Sequence, residues 1–367
     1  MPEKIRVAVV FGGRSSEHAI SCVTAGSVMA AIDTDRYEVL PIGITRDGRW
    51  VLADERQHLA IEDGRLPEVS GAGLPLALPL DPEAAELTVL SPADLPRALG
   101  RVDVVLPLLH GPYGEDGTVQ GLLELIGVRY VGAGVLASAA GMDKAFMKLI
   151  WQAQGLPVGP YVIVTDREWR LERERKLDEI KQLGWPVFVK PARAGSSMGI
   201  SRVTRQEDLV PAIEAAREHD PKLIVEAGIE GLEVECGVLE GLDDGPTEAS
   251  QPARIVMLGQ HDFYDFETKY LDGTSRLEIP ADLPPEVGER LRDTAVAAFD
   301  ALGCEGLARV DFFVTPGNEL VLNEINTMPG FTPTSAFPQM WAATGVDYRS
   351  LVDRLIQTAL RRRVGLR

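Results

Sequence analysis

The chain has little of what would place it outside the cell, in a membrane or on nucleic acid. Cysteine is scarce: Cys22, Cys236 and Cys304 are the only three among 367 residues. They lie far apart and form no C-x-x-C, and an odd number suits a reducing compartment better than a disulfide framework. Long apolar runs are missing. No stretch approaches the ~18 residues of a membrane span. The opening Met1-Pro2-Glu3-Lys4-Ile5-Arg6 runs into too short an apolar segment for a signal peptide. The expectation is a soluble, cytoplasmic protein. Basic residues are outnumbered, 37 Lys and Arg against 55 Asp and Glu, for a formal charge of −18. That field repels a phosphate backbone and argues against nucleic-acid binding. Any anionic ligand has to be held by local lysines, arginines and backbone N–H groups. Repeats, low-complexity tracts and the G-x-x-x-x-G-K-[ST] phosphate loop are also absent. What is there is an ordinary globular composition, 45% hydrophobic and 25% charged. Its length suits two or three domains, because single cores stop growing near ~250–300 residues.

The first hundred residues open as parallel α/β. Ile5 to Phe11 is a β-branched apolar run that stops at Gly12-Gly13. Ser15 or Ser16 can cap a helix with Glu17 in its first turn, burying Ile20, Val23, Val28, Ala31 and Ile32. Val39–Ile44 and Val102–Leu109 read as further strands. Between them, residues 51–100 lose periodicity and carry six prolines, which predicts a surface insertion with short strands and no chemistry. Asp143 to Gly155 reads as a helix buried through Phe146, Leu149, Ile150 and Ala153. Residues 166–184 read as helical, Pro186–Lys190 and Leu223–Glu226 as strands, Asp243–Pro252 as an exposed loop and Pro284–Gly303 as a helix. Residues 307–314 and 319–326 form a hairpin. A last amphipathic helix carries Leu351, Leu355, Ile356 and Ala359, and Arg361-Arg362-Arg363 should be a solvated helix end.

The hairpin carries the clearest chemistry. With its turn at Gly317-Asn318, a two-residue or a four-residue loop gives one register: Asp311 opposite Glu324 and Arg309 opposite Asn326. Side chains alternate faces along a strand. Arg309, Asp311, Glu324 and Asn326 therefore share one face, with Val310, Phe312, Val321 and Ile325 on the other. Three oxygen ligands beside a guanidinium suit a hard cation that bridges phosphates; a solvated sheet face is the plainer alternative. Lys190 ends a strand and precedes the loop Ala194-Gly195-Ser196-Ser197-Met198-Gly199. Such a loop can line a phosphate, and it can equally be a turn. Lys144 stands at a helix start, where the dipole disfavours a cation unless a phosphate binds there too; a surface lysine is the alternative. Glu226 follows an apolar strand and Glu233 lies seven residues on; carboxylates there can accept from an adenine amine and ribose hydroxyls, with an ordinary charged strand edge as the alternative. His110 follows the strand 102–109 at the end where α/β sheets bind ligands, and it can also be a satisfied structural histidine.

In order and spacing these pieces resemble the D-alanine–D-alanine ligase family of the ATP-grasp superfamily. The resemblance runs from Val9 to about Leu355, leaving out 51–100 and 240–253. It rests on Phe11-Gly12-Gly13 through Glu17 and Ser21, and on His110-Gly111 with Gly114-Glu115-Asp116-Gly117. It continues in Met142-Asp143-Lys144, Val189-Lys190-Pro191 through Ser197, and Phe263-Tyr264-Asp265 through Lys269-Tyr270. The last block is Asn323-Glu324-Ile325-Asn326-Thr327 through Pro329-Gly330-Phe331-Thr332. The fold it implies is α/β, with an α+β ATP-binding half: a Rossmann-like parallel-sheet domain at 1–135, a central ATP-grasp lid domain at 136–236 and a catalytic domain at 237–367. The activity it implies joins two D-alanines at the expense of ATP, for peptidoglycan. A homodimer with two Mg²⁺ or Mn²⁺ per site goes with it.

The resemblance also assigns roles. Lys144, Lys190 and Lys269 would contact ATP phosphates. Glu226 and Glu233 would hold adenine and ribose, with backbone groups of Ala227 and Ile229, between Phe188, Phe263 and Phe313. Asp311, Glu324 and Asn326 would ligate the metals. Glu17 would take the first substrate's ammonium, in a set with Ser196 and Tyr270. His110 would lie near the first carboxylate, Ser335 would hold the second, and Arg309 with the Gly330 N–H would form the oxyanion hole. Residues 259–275 would be the lid. Some relatives carry lysine where Ala227 stands, and the Leu232 position is often charged. A D-alanine–D-lactate ligase usually lacks the Tyr264–Tyr270 pattern. A different ATP-grasp ligase would lack the Glu17 and His110 motifs, and a non-catalytic nucleotide-binding regulator would have lost Arg309 or a metal ligand.

Overall fold

The computed structural model describes residues 4–363, apart from 54–58, 62–64, 78–85, 91–96, 244 and 258–274. Three sheets organise it. The first is built around Ile5–Gly12, which pairs in parallel with Tyr37–Ile44 and Val104–Pro107. Val7, Ala8, Val9 and Phe11 are fully buried, as expected of a parallel strand covered on both faces. Gly12 ends the strand at φ +91°, and a Cβ there would lie 2.3 Å from the Ile44 carbonyl oxygen. No other residue type fits that turn. The turn does not start the helix with a serine cap. The helix His18–Ala31 begins after Glu17, and Ser15 Oγ instead accepts from the Glu17 N–H.

The stretch 51–100 adds short antiparallel strands to the open edge of this sheet: Trp50–Leu52, Leu74–Ala77, Glu86–Val89 and Arg97–Arg101. The short strands were expected; the purely surface position also expected for this stretch is not what the structure shows. Val51, Ala53, Leu59 and Val69 enter the same core as Val7 and Phe11. That core also contains Leu351, Leu355, Ile356 and Ala359 of the last helix, Tyr348–Arg361. The two ends of the chain thus share one apolar interior. The end of this helix is solvated as predicted at Arg361 and Arg363, which are exposed, but not at the residue between them. Arg362 is buried and donates to the Gly132 carbonyl at 2.5 Å, while pairing with Glu240 at 2.6 Å and Glu305 at 3.6 Å.

The second sheet is antiparallel, in the order Ser201–Val203, Val187–Pro191, Leu223–Ala227, Tyr161–Val164. The helical reading of 166–184 holds, as two short helices, Asp166–Leu171 and Arg173–Lys181. The third sheet runs Ser275–Glu278, Ala253–Met257, Leu232–Leu239, Leu307–Val314, Leu320–Asn326, and Pro285–Ala301 backs it. Part of the expected exposed loop 243–252 belongs to it: Glu248–Ala249 pairs with Leu232–Leu239 and Ser250 is buried. The helix Lys144–Ala153 lies between the second and third sheets. It buries Met147, Lys148 and Trp151, whereas Phe146 and Leu149 are exposed. Of the apolar stripe predicted for it only Ile150 packs against the core; Phe146, Leu149 and Ala153 face outward.

Candidate active site

The hairpin places its polar set as the alternation required. Asp311 lies opposite Glu324 and Arg309 opposite Asn326. The turn, however, is neither of the two lengths considered. Thr315 N donates to Glu319 O, and Asn318 takes a left-handed φ of +62°, which is a three-residue loop closed by one αL residue. A bulge at Asn323 then restores the register at the site, with Phe312 facing Leu322 and Phe313 facing Val321. The bulge moves Val321 from the apolar face, where alternation put it, into the cleft beside Phe313.

Arg309 makes two bonds to Asp311, each 2.7 Å. Asn326 Nδ2 donates to the same carboxylate at 3.1 Å. Glu235 approaches Arg309 Nε to 3.3 Å from the adjoining strand. Burial opposes the guanidinium charge, but Asp311 and Glu235 outweigh it and hold Arg309 well above its ordinary range. Glu235 was not singled out from sequence. The signal was available, since Glu233 and Glu235 alternate on one strand and so share a face. Among the described residues no three His, Cys, Asp or Glu side chains form a metal cluster. The set here is two carboxylates and an amide. That donor chemistry suits Mg²⁺, which binds one or two carboxylates and takes its other ligands from water and phosphate.

Glu324 also receives Lys144 Nζ at 3.3 Å, and Lys144 donates to the Ala194 carbonyl at 3.0 Å. Asp143 caps the helix that Lys144 begins, accepting from the N–H groups of Ala145 and Phe146. Lys190 and Phe188 stand on one face of their strand, with Glu226 directly opposite Phe188 on the next. Glu226 is clasped by Lys190 at 2.5 Å and by Lys148 at 2.7 Å. Burial would push its carboxyl up, but the two lysines hold it down at about 2.

Loops build the opposite end. Ser196 Oγ donates to Glu17 Oε1 at 2.6 Å. Ser196 and Ser197 both have left-handed φ values, +48° and +57°, a strained choice for non-glycine residues. Gly111, at φ +71°, lets Glu17 approach: a Cβ there would lie 2.9 Å from Glu17 Oε2. His110 is buried, with Nδ1 3.0 Å from the Met328 carbonyl oxygen. Its Nε2 is buried with no partner among the described residues. Burial holds its pKa down against the pull of Glu17. Glu115 accepts from the N–H groups of Gly111 at 2.6 Å and Met328 at 3.1 Å. Burial and the nearby Glu17 raise its carboxyl to about 8, and the two N–H bonds only partly offset this.

One cleft therefore gathers Glu17, His110, Lys144, Phe188, Lys190, Ser196, Glu226, Ala227, Ile229, Glu233, Arg309, Asp311, Phe313, Glu324, Asn326 and Gly330. Ser335 stands apart from this lining. It begins the helix Ala336–Ala343, and its Oγ is engaged by Thr332 N at 3.1 Å and Thr332 Oγ1 at 2.8 Å. Phe263, Lys269, Tyr270 and nearly all of the expected lid lie outside the described residues. Lys148 and Glu115 complete the cleft and were not chosen as site residues from sequence.

Comparisons with known proteins agree with this geometry. Residues 6–133 match the family model described as D-ala D-ala ligase N-terminus, and residues 150–357 the one described as D-ala D-ala ligase C-terminus. A D-alanine--D-alanine ligase of Kineococcus radiotolerans is 60% identical over 371 residues, covering 99% of both chains. One of Streptomyces coelicolor is 58% identical, covering 99% of this chain and 95% of its own. Among solved structures, the VanG D-Ala:D-Ser ligase of Enterococcus faecalis superposes with a TM-score of 0.83 at 36% identity, covering 97% of this chain and 100% of its own. The D-alanine-D-alanine ligase of Coxiella burnetii gives 0.81 at 33% identity, covering 98% and 94%. With relatives this similar along its whole length, and with all but Ser335 of the described site residues of the resemblance brought into one cleft, the chain belongs to the D-alanine–D-alanine ligase family.

Proposed function

We propose that this protein joins two D-alanines to D-alanyl-D-alanine with ATP, releasing ADP and phosphate, and so supplies a peptidoglycan precursor in the cytoplasm. It works as a homodimer with two Mg²⁺ or Mn²⁺ in each site. The observation that carries the reading is the meeting of two groups in one cleft: Lys144, Lys190 and the Arg309–Asp311–Glu324–Asn326 face on one side, Glu17–Ser196 and His110 on the other.

A carboxylate is a poor electrophile because its charge repels nucleophiles. The first D-alanine's carboxylate therefore takes the terminal phosphoryl group of ATP and becomes an acylphosphate. Glu17, fixed by Ser196, receives that substrate's ammonium, and His110 stands by its carboxylate. Lys144, Lys190 and Lys269 hold phosphate oxygens and offset their charge. Asp311, Glu324 and Asn326 would hold the divalent ions, which when bound neutralise charge on the transferred group. The second D-alanine, held through its carboxylate by Ser335 and deprotonated at its amine, attacks the acyl carbon. The lid over residues 259–275, carrying Tyr270, closes on the acylphosphate and keeps water from it. Arg309 and the Gly330 N–H receive the oxyanion, a contribution of about 3–4 kcal/mol per donor in comparable sites. Glu226 and Glu233, with the backbone of Ala227 and Ile229 and the rings of Phe188, Phe263 and Phe313, hold the nucleoside.

Phosphate release with D-alanine, L-alanine or D-lactate as the sole acceptor tests this. The reading predicts release with D-alanine, matched mole for mole by dipeptide. No ATP turnover with D-alanine, or faster turnover with L-alanine, contradicts it.

A further inference from the structure

Lys148 has no part in the scheme above, yet the fold buries it at the nucleotide end of the cleft. It is only 3% exposed, an uncommon place for an ammonium unless it is paired. Its Nζ lies 2.7 Å from Glu226 Oε1 and donates to the Leu322 carbonyl at 3.3 Å. The other oxygen, Glu226 Oε2, is 2.5 Å from Lys190 Nζ. One buried carboxylate is thus shared by two lysines that arrive from different elements. Lys148 comes from the helix Lys144–Ala153 and Lys190 from the strand Val187–Pro191. The two are not equivalent. Lys148 is anchored a second time, on the hairpin backbone, and its side chain is 4% exposed against 12% for Lys190. Burial lowers the pKa of Lys148 and Glu226 offsets that in part, so each member of the pair stabilises the charge of the other.

A phosphate bound at Lys190 would compete with Glu226 for that lysine's charge. A buried carboxylate losing its last counter-charge is strongly disfavoured. With Lys148 present, Glu226 keeps one cation throughout. We infer that Lys148 is a positioning residue for nucleotide recognition: it fixes the Glu226 carboxylate as an acceptor at the adenine end of the cleft while Lys190 serves the phosphates. This rests on the reading that the cleft takes ATP. The chemistry gives base selectivity as well. A fixed carboxylate accepts from the exocyclic amine of adenine and repels the carbonyl oxygen that guanine carries at the same position. Lys148 therefore acts through Glu226 on which base is accepted and on how tightly ATP binds, and not on phosphoryl transfer.

Steady-state ADP release by the full-length enzyme tests this. In Lys148→Met the KM for ATP should rise roughly 10- to 100-fold, while kcat and the KM for D-alanine stay within about threefold. The preference for ATP over GTP should fall at least about tenfold, because an acceptor aimed at the base is what discriminates. Lys148→Arg should restore most of both. In a Glu226→Gln background Lys148→Met should add little, since its target charge is gone. A folded Lys148→Met with unchanged ATP constants and base preference overturns the inference, as does an equal loss for ATP and D-alanine. If Lys148→Met does not fold alone, Glu226→Gln and the double variant decide: a KM for ATP in the double well above that of Glu226→Gln overturns the inference, and equal constants support it. An unaltered enzyme without D-alanine-dependent ATP turnover contradicts the proposed function itself, whereas normal turnover with an indifferent Lys148 contradicts only this inference.

Discussion

The two ends of the cleft are built by different means. At the end proposed to take nucleotide and metal, side chains on sheet strands and on the helix Lys144–Ala153 are cross-linked by charge: Lys148 and Lys190 on Glu226, and Arg309 on Asp311 and Glu235. At the amino-acid end they sit on loops and are tied down through the backbone. His110 bonds the Met328 carbonyl, Glu115 bridges the N–H groups of Gly111 and Met328, and Ser196 holds Glu17 from a left-handed conformation. A sheet face fixes charges at set spacing, which suits a ligand that carries several charges along one chain. Loops set shape and can adjust, which suits a small substrate whose reactive product has to be enclosed. Substitutions at the two ends should therefore fail differently.

The largest effect belongs to the charged end. Asp311→Asn or Glu324→Gln should lower turnover at least ~100-fold at saturating Mg²⁺, through lost metal-assisted phosphoryl transfer. The fold should survive, with an unchanged circular dichroism spectrum. Near-normal turnover in either variant would mean that this face is only a structural network. At the loop end, Glu115→Gln replaces one of two acceptors by a donor facing a backbone N–H. It should cost about 1–3 kcal/mol of stability and raise the KM for D-alanine more than that for ATP. The same group sets a pH dependence. Its carboxyl is raised from 4.5 to about 8 in the fold, so its contribution is fully present below 4.5 and is lost as pH rises through about 8. Unfolding temperatures between pH 4.5 and about 8 should fall less steeply in Glu115→Gln than in the unaltered protein. The smallest effect on catalysis should come from outside the cleft. Arg362→Met removes the pairs to Glu240 and Glu305 where the last helix meets the first sheet. Glu240 keeps access to water, so about 1–2 kcal/mol of stability should be lost. The kcat of this variant should stay unchanged, and a large fall would show that the shared core of the chain ends reaches the chemistry.

The same contrast explains what could be read from the sequence. Arg309, Asp311, Glu324 and Asn326 were legible because period-two alternation on a hairpin needs no knowledge of distant contacts. The bulge at Asn323 was not legible, since a three-residue and an even-numbered loop leave the same residues at the turn, and Val321 was misplaced by one step as a result. Lys148 was concealed by a misread helix. Phe146 and Leu149 make a persuasive apolar stripe, yet the helix packs through Met147 and Trp151. The overlooked clue was Lys144 itself, because residues i and i+4 share a face and Lys148 must follow Lys144 into the cleft. The loop end carried no periodic signal at all. Gly330, and the pairing of Glu17 with Ser196, were named only through the family resemblance. The contact between His110 and Met328 joins segments far apart in sequence. Arg362 and Val69 were misjudged for the same reason: composition marked them as surface, and only the assembled core shows what covers them.

The account stands or falls on the division of labour between the two ends. Its most direct test is to measure the KM for both substrates in Lys190→Ala and in Ser196→Ala under identical conditions. Lys190→Ala should raise the KM for ATP at least ~10-fold through a lost charge-assisted contact and leave that for D-alanine within about twofold, and Ser196→Ala should do the reverse. If both variants raise both constants in the same proportion, the cleft is one coupled structure and the two-part construction described here is wrong.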